Sequence, residues 1–344
     1  LNIFRDCGLG KFTYEIGKIN SKETIEIFRD AKCIFKKPRS LLQREWSENS
    51  INICSIRDDI LSVQEEEKNI FHSETPEKII SVPKKLAKLL LNEYKSVKST
   101  SKSKKGKPRI AILREQGVNG QIEMAACFTE AGFEAHDIHM TDIINKRVKL
   151  SGYSGMAISG GFSYGDVFGA GKGWAKSILL NNFLREQFQE FFNDQTKFVF
   201  GVCNGCQFLC ELQEILPNNQ IWPKFLPNKS KRFEARQSLV EVLDSESIFF
   251  KDMLGLKLPI IISHGHGRAE FEDITNEKNF VNPIIKYIDH LGATADTYPH
   301  NPNGSPNGLT GFTSSDGRIC AMMPHPERCF RNIQFSWLPN KIYN

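Results

Sequence analysis

Short apolar runs alternate with amphipathic stretches along the chain from about residue 109 onward. The apolar runs include IAIL (110–113), MAI (156–158) and FVFGV (198–202), and SILLNNFLREQFQEFFN (177–193) has apolar residues at helical spacing. Short apolar strands that alternate with amphipathic helices are typical of βαβ units and of a mostly parallel sheet covered on both faces. The pattern therefore predicts an α/β, doubly wound domain.

Two other parts of the chain depart from this pattern. Beyond Pro217, strand-like runs such as SLVEVL, LPIIISHG and RICAMMPH follow one another with few helical stretches between them, which predicts added mixed or antiparallel strands. Residues 1–80 mix short apolar stretches with charged clusters and lack regular alternation. We therefore expect a poorly defined N-terminal segment at 1–80, a linker at 81–107 and the α/β domain at 108–344.

The net charge of +5 comes mainly from one Lys- and Ser-rich stretch, from Pro83 to Arg109. This stretch has no interleaved aromatic ladder, which favours a solvated linker over a tail that binds nucleic acid. The sequence has no apolar run of 18 or more residues and no signal-peptide pattern at its start. We therefore expect a cytoplasmic protein with no nucleic-acid partner and no membrane partner.

The nine cysteines are odd in number and lack the spacing of a disulfide scaffold, so we expect reduced thiols. Cys203 stands where the run FVFGV meets the helical pattern CQFLCELQEIL, at a sharp turn from strand to helix. Gly201 and Gly205 allow such a turn, and a helix start offers unpaired N–H groups and a positive dipole end. A thiol placed there ionises readily, as in a nucleophile elbow. Cys206 and Cys210 lie further along the helix and are interpreted as core residues.

A cysteine that attacks an acyl group also needs a base and an oxyanion hole. His325 and Glu327 are two positions apart on an extended segment, so both side chains can project to one side and the carboxylate can fix the imidazole tautomer. Gly160 and Gly161 follow the run MAI, and consecutive glycines let backbone N–H groups approach a substrate oxygen. We expect the N–H groups of Gly161 and Asn204 to form the oxyanion hole. Taken singly, the His-x-Glu pair also fits a structural role and the glycines also fit a plain turn.

Three other interpretations remain open at this point. A zinc module would use Cys203 with Cys206 and His264 with His266, because both pairs have ligand-like spacing. A thioredoxin-like CxxC also follows a strand and opens a helix. A third protein class would bind its ligand, or dock onto a partner, without turnover.

The motifs taken together resemble those of a class I glutamine amidotransferase, whose signature G-x-C-x-G-x-Q matches Gly201, Cys203, Gly205 and Gln207. More closely, the chain resembles the glutaminase domain of large-type phosphoribosylformylglycinamidine synthase. The blocks that carry this resemblance occur in order: REQGVNGQIEMA (114–125), HMTDI (139–143), SGGFSYGDVFGAGKGWAKSIL (159–179), GVCNGCQ (201–207), RFEARQSLVEV (232–242), SHGHGR (263–268), NPNGSPNG (301–308) and MMPHPERCFR (322–331).

The resemblance implies a catalytic triad. Cys203 attacks the side-chain amide of L-glutamine, His325 protonates the departing ammonia, and Glu327 orients the histidine. We expect Gly160 and Gln207 to join Gly161 and Asn204 in the oxyanion hole or in substrate binding. The half-reaction needs no cofactor and no metal.

The resemblance also implies a partner. In the family, ammonia passes through a channel to a synthetase domain that uses ATP and Mg²⁺ to convert formylglycinamide ribonucleotide into its amidine, a step of purine biosynthesis. That domain is not recognisable here, and residues 1–55 resemble the tail of it more weakly, chiefly in PRSLLQREWSENSINICSIRDD (38–59). We therefore expect Leu1 to be an internal beginning. His266 stands where the family usually has glutamate.

Overall fold

A computed structural model of the chain describes residues 1–71, 81–83, 106–217, 221–271 and 282–335. The N-terminal part contains a short helix, a hairpin and two longer helices: α1 (Asn2–Asp6), β1 (Thr24–Arg29), β2 (Lys32–Pro38), α2 (Arg39–Arg57) and α3 (Ile60–Asn69). The sequence did not reveal these elements. In α2, none of the residues is buried and large apolar side chains such as Trp46 and Ile56 are exposed, so the usual pattern of a buried helix face is absent. Most of the predicted linker, residues 84–105, lies outside the described residues.

The main domain consists of helices on both sides of a large sheet. Its helices are α4 (Gln121–Glu130), α5 (Met140–Ile144), α6 (Lys172–Leu179), α7 (Asn182–Asn193) and α8 (Asn204–Glu211). The strands of the large sheet are β3 (Arg109–Arg114), β4 (Glu134–His139), β5 (Gly155–Ile158), β6 (Phe198–Val202), β8 (Glu234–Val242), β9 (Lys257–His264), β11 (Asn282–Ile288), β12 (Leu309–Thr313) and β13 (Ile319–Met322). Two short strands, β7 (Lys224–Leu226) and β10 (Arg268–Glu270), pair separately.

The large sheet has a parallel half and an antiparallel half. Its described strands lie in the order β4-β3-β5-β6-β13-β12-β11-β8-β9. The first five strands, from β4 to β13, are parallel to one another, and each neighbouring pair from β13 to β9 is antiparallel. The predicted α/β fold with added antiparallel strands is therefore confirmed. In the parallel half, the four residues of β5 are all buried, as a strand covered on both faces requires.

The helices beside the parallel half share an aromatic core. Trp174 of α6 packs on Phe208 of α8 with ring centroids 4.5 Å apart, and Phe188 of α7 meets Phe208 at 6.3 Å. The three rings are fully buried. Asn181 caps α7 by accepting a hydrogen bond from the N–H of Leu184 (3.2 Å). Large fully buried rings resist displacement, so α8 has a rigid support.

Helix α3 connects the N-terminal part to the antiparallel half. Arg232, just before β8, contacts Glu66 (3.1 Å) and Asp58 (3.6 Å), and the N–H of Asp59 donates to the carbonyl of Ser230 (3.2 Å). The N–H of Tyr298 donates to Glu65 (2.8 Å). These contacts place α3 against the loop that leads into β8.

None of the described helices is long and apolar enough to cross a lipid bilayer.

Candidate active site

Cys203 forms the turn between β6 and α8 in a backbone conformation that is unusual for cysteine. Its φ is 53° and its ψ is −108°, a region that costs a residue with a side chain about 1–3 kcal/mol. Its N–H donates to the carbonyl of Met322 (2.9 Å), and its carbonyl accepts from the N–H of Gln207 (3.0 Å). The surrounding structure therefore imposes the conformation, as expected for a nucleophile held at a sharp elbow.

The two glycines of the elbow have a role other than the one the sequence suggested. Neither Gly201 nor Gly205 has a positive φ, because the left-handed residue of the turn is Cys203 itself. A Cβ on Gly201 would lie 2.6 Å from Leu209 Cδ1, and a Cβ on Gly205 would overlap the carbonyl of Ile158. The glycines are therefore needed because the start of α8 lies directly against β5 and β6.

Replacing Gly205 with alanine should destabilise the protein by about 3 kcal/mol or more, because the new methyl group meets backbone that cannot move aside. Urea unfolding followed by circular dichroism measures the loss. Gly265→Ala is the matched control, since its Cβ would have its nearest neighbour, Phe233 Cδ2, at 3.7 Å, an ordinary contact. Equal stability of the two variants would contradict the packing argument.

His325 and Glu327 form a buried pair after β13. The N–H of His325 donates to the carbonyl of Ile261 (2.7 Å), which fixes the backbone of the histidine beside β9. Its Nδ1 lies 2.5 Å from Oε1 of Glu327, and the two residues are only 1% and 0% exposed. The structure thus brings together the two residues that the sequence paired, and the carboxylate sets the ring so that Nδ1 carries a proton.

The other ring nitrogen of His325 is turned toward the cysteine. Nε2 is buried and has no hydrogen-bond partner among the described residues. A methyl group on Gly160 would come within 2.7 Å of Cε1 of His325 and 3.3 Å of Cβ of Cys203, so both side chains converge on this glycine. Because Gly160 has no side chain, the space between the Cys203 thiol and the His325 imidazole stays open.

The charges of the triad favour a protonated imidazole. Burial lowers the pKa of His325, but the negative charges of Glu327 and Cys203 outweigh burial and raise this pKa to about 10. A thiolate beside an imidazolium is the reactive form of a catalytic cysteine. Sγ of Cys203 lies 3.6 Å from the carbonyl oxygen of Ser263.

The glycine loop lies beside the elbow and offers a donor. The carbonyl of Gly160 accepts from the N–H groups of Asn119 (3.2 Å) and Gly120 (3.1 Å), which holds the loop against the turn after β3. Gly161 has φ 147°, and a Cβ there would lie 2.5 Å from Cα of Val118. Among the described residues, no acceptor faces the N–H of Gly161 or that of Asn204. Both predicted oxyanion donors therefore remain available to a ligand.

Gln207 lies within this site, but its amide is engaged with protein groups. Its Oε1 accepts from the Asn204 side chain (3.1 Å), and its Nε2 donates to the carbonyl of His266 (2.5 Å). Gln207 thus connects α8 to the loop after β9. A direct contact with substrate stays a prediction.

His264 lies in the site, and the sequence did not indicate its burial or its contacts. It is 2% exposed, its Nε2 lies 3.4 Å from the amide nitrogen of Asn303, and its Nδ1 has no partner among the described residues. Burial and the positive charge of His325 lower its pKa to about 3. His264 is therefore a neutral imidazole near the triad, held by a residue 39 positions away that no local pattern connects to it.

The geometry does not favour the zinc interpretation or the redox interpretation. The described residues contain no group of three or more His, Cys, Asp or Glu side chains placed to hold a metal ion. His264 is buried whereas His266 is exposed, and Cys206 is fully buried. Burial raises the pKa of Cys206 well above its usual value, so this thiol is a poor redox partner.

Replacing Cys206 with alanine should leave glutamine hydrolysis within about twofold of the unaltered protein, because Cys206 packs inside the domain and touches no reacting group. A small loss of stability, about 1 kcal/mol, is expected from the smaller side chain. Glutamate release measures the first effect and thermal unfolding the second. Loss of activity in a folded Cys206→Ala protein would revive the CxxC interpretation.

One family model and several solved structures are similar to this chain. The family model described as the CobB/CobQ-like glutamine amidotransferase domain matches residues 107–343. Among solved structures, PurLQS from Thermotoga maritima is similar with a TM-score of 0.53 and 24% identity, covering 67% of this chain and 92% of that one. A glutamine amidotransferase from Thermotoga maritima matches with a TM-score of 0.38 and 18% identity over 65% of this chain and 77% of its own. One from Methylobacillus flagellatus matches with a TM-score of 0.37 and 12% identity over 65% and 71%.

The PurLQS likeness supports the fold, and the family match extends over most of the chain, including the elbow, the glycine loop and the segment from His325 to Glu327. The chain belongs to the family of CobB/CobQ-like glutamine amidotransferase domains.

Proposed function

We propose that the chain hydrolyses L-glutamine through a thioester on Cys203 and supplies the ammonia to a phosphoribosylformylglycinamidine synthase. The observation that carries the hydrolysis is the buried His325–Glu327 pair, whose free Nε2 and Cys203 converge on Gly160. This arrangement supports acyl transfer with Cys203 as nucleophile, His325 as base and Glu327 as the orienting carboxylate.

In the first half of the reaction, the Cys203 thiolate attacks the carbonyl carbon of the glutamine side chain. A C–S bond forms, and the electron pair of the C=O bond moves onto oxygen, where the N–H groups of Gly161 and Asn204 stabilise the negative charge. His325 then gives the proton on Nε2 to the amide nitrogen. The C–N bond breaks, ammonia leaves, and a glutamyl thioester remains.

In the second half, a water molecule attacks the thioester. His325, now neutral, takes a proton from the water as the new C–O bond forms, and the same N–H groups hold the second oxyanion. The intermediate collapses, the C–S bond breaks, and glutamate leaves. Cys203 departs as a thiolate beside the imidazolium, which restores the starting charges.

The choice of acceptor rests on the ordered sequence blocks. The blocks from 114 to 331 resemble those of the large-type synthase glutaminase, and GWAKSIL and NPNGSPNG are distinctive within class I amidotransferases. In this proposal, a synthetase domain binds formylglycinamide ribonucleotide, ATP and Mg²⁺, and no step of glutamine hydrolysis uses them. A cytoplasmic location, as for purine biosynthesis, is part of the same proposal.

A coupled assay tests the proposal. The full chain is mixed with a synthetase that lacks its own glutaminase, and amidine formation from formylglycinamide ribonucleotide and ATP is followed with either glutamine or ammonium as nitrogen source. We expect glutamine to support synthesis only when the chain is present, with one glutamate released per amidine. Synthesis with ammonium but not with glutamine plus the chain would contradict the acceptor. Glutamine bound without glutamate release would favour the binding-only alternative.

A further inference from the structure

The loop that carries the oxyanion donor Gly161 has an unfavourable backbone. Three consecutive residues have a positive φ: Tyr164 (53°), Gly165 (64°) and Asp166 (54°). Only glycine adopts this region without cost, so Tyr164 and Asp166 need support from neighbouring groups. The loop therefore keeps its shape through outside contacts.

One set of contacts holds the loop to the turn after β3. The N–H of Phe162 donates to the carbonyl of Gly117 (2.9 Å), and the N–H of Tyr164 donates to the carbonyl of Gln116 (2.9 Å). These bonds fix the first part of the loop. They do not fix its distance from Cys203, because neither partner belongs to the elbow.

The side chain of Asn204 makes that second connection. Its Oδ1 accepts from the N–H of Ser163 (3.1 Å), and its Nδ2 donates to Oδ1 of Asp166 (3.1 Å) and to Oε1 of Gln207 (3.1 Å). These two loop partners, Ser163 and Asp166, flank Tyr164 and Gly165, the first two residues of the loop with a positive φ. Asn204 is fully buried, so its amide depends on these protein partners rather than on bulk water.

Asn204 also follows Cys203 directly, and its own backbone N–H is the second expected oxyanion donor. Asn204 thus supplies one oxyanion donor from its backbone, and its side chain holds the loop that carries the other donor, Gly161. We propose that the Asn204 side chain is a positioning group for the oxyanion hole, which sets Gly161 relative to Cys203 through Ser163 and Asp166. This inference rests on the proposed glutamine hydrolysis.

An exchange of donor and acceptor tests the proposal in the full chain. Asn204→Asp retains the backbone N–H and the acceptor for Ser163, but it places a carboxylate against that of Asp166 and against Oε1 of Gln207. Asp166→Asn alone keeps an acceptor for the Asn204 amide. The double variant supplies a donor on position 166 and an acceptor on position 204, so the link is restored in the opposite direction.

We expect Asn204→Asp to lower kcat for glutamine by about 30-fold, approaching the 10²–10³ lost when an oxyanion donor is removed, with KM changed by less than about threefold. Asp166→Asn should lose less than about threefold, and the double variant should recover at least about tenfold over Asn204→Asp. Iodoacetamide alkylation of Cys203 forms no oxyanion, so its rate should stay within about twofold in all variants.

Three results would overturn the inference: a double variant no better than Asn204→Asp, a loss confined to KM, or an alkylation rate that falls in parallel with kcat. The last result would show that Asn204 merely supports the elbow. Failure of the proposed function is distinguishable, because the unaltered chain would then release no glutamate at all.

Discussion

Cys203→Ala is expected to abolish glutamine hydrolysis, lowering kcat by about 10⁵-fold or more. The thioester cannot form without the sulfur, and the oxyanion donors alone supply only a small residual rate. The methyl group of alanine fits the space of the cysteine Cβ, so the fold should survive. Glutamate release and thermal unfolding measure the two effects, and ammonium-dependent amidine synthesis by the synthetase partner should be unchanged.

The matched control is Cys206→Ala, which removes a sulfur from a fully buried position three residues further along the chain, in α8. Because both variants lose one buried thiol, a difference in activity between them isolates the chemistry from packing. Cys203→Ala protein that still hydrolyses glutamine, or equal losses in the two variants, would contradict the assignment of the nucleophile.

Glu327→Gln is expected to lower kcat by about 10³-fold, because the amide cannot stabilise the imidazolium or enforce the proton on Nδ1 of His325. The carboxylate lies 2.5 Å from Nδ1 and is fully buried, so solvent does not screen its charge. Steady-state kinetics on glutamine measures the loss. Glu123→Gln is the control: its carboxylate pairs with Arg328 at 3.2 Å, near the same turn but away from the imidazole, and less than a twofold effect is expected.

The same substitution should change the pH dependence. With Glu327 in place the pKa of His325 is about 10, so the imidazolium form persists through neutral pH and is lost as the pH rises through that value. A negative neighbour raises the pKa of a cationic acid, so its removal moves the alkaline limb of the kcat/KM profile, which reports the free protein, to lower pH by about 1–3 units. An alkaline limb that does not move in Glu327→Gln would contradict the assignment of Glu327 to His325.

The parts of the fold that could be predicted are those whose physical cause is local. IAIL and MAI are continuous apolar runs because β3 and β5 are covered on both faces, and helical spacing in α7 follows from its buried Leu184, Phe188, Phe191 and Phe192. The strand-to-helix turn at Cys203 is visible for the same reason. The His325–Glu327 pair is two residues apart, so its contact is also local.

The rest depends on contacts between distant positions. Asn204 meets Asp166 across 38 residues, and His264 meets Asn303 across 39, so no periodicity or spacing connects them. The sequence predicted that Gly201 and Gly205 lie at the turn, but it attributed them to backbone conformation. Only the folded structure shows that they are needed because α8 packs directly against β5 and β6. Helix α2 exposes large apolar side chains such as Trp46 (84%) and Ile56 (90%), so the usual burial signal is absent there.

Covalent labelling with an electrophilic glutamine analogue, followed by peptide mapping, tests the central claim most directly. The full chain is incubated with the analogue, with and without excess glutamine, and the modified peptide is identified by mass spectrometry. We predict one adduct per chain, on Cys203, that glutamine suppresses and that Cys203→Ala eliminates. An adduct on Cys206 or Cys210, or labelling that glutamine does not suppress, would contradict the mechanism.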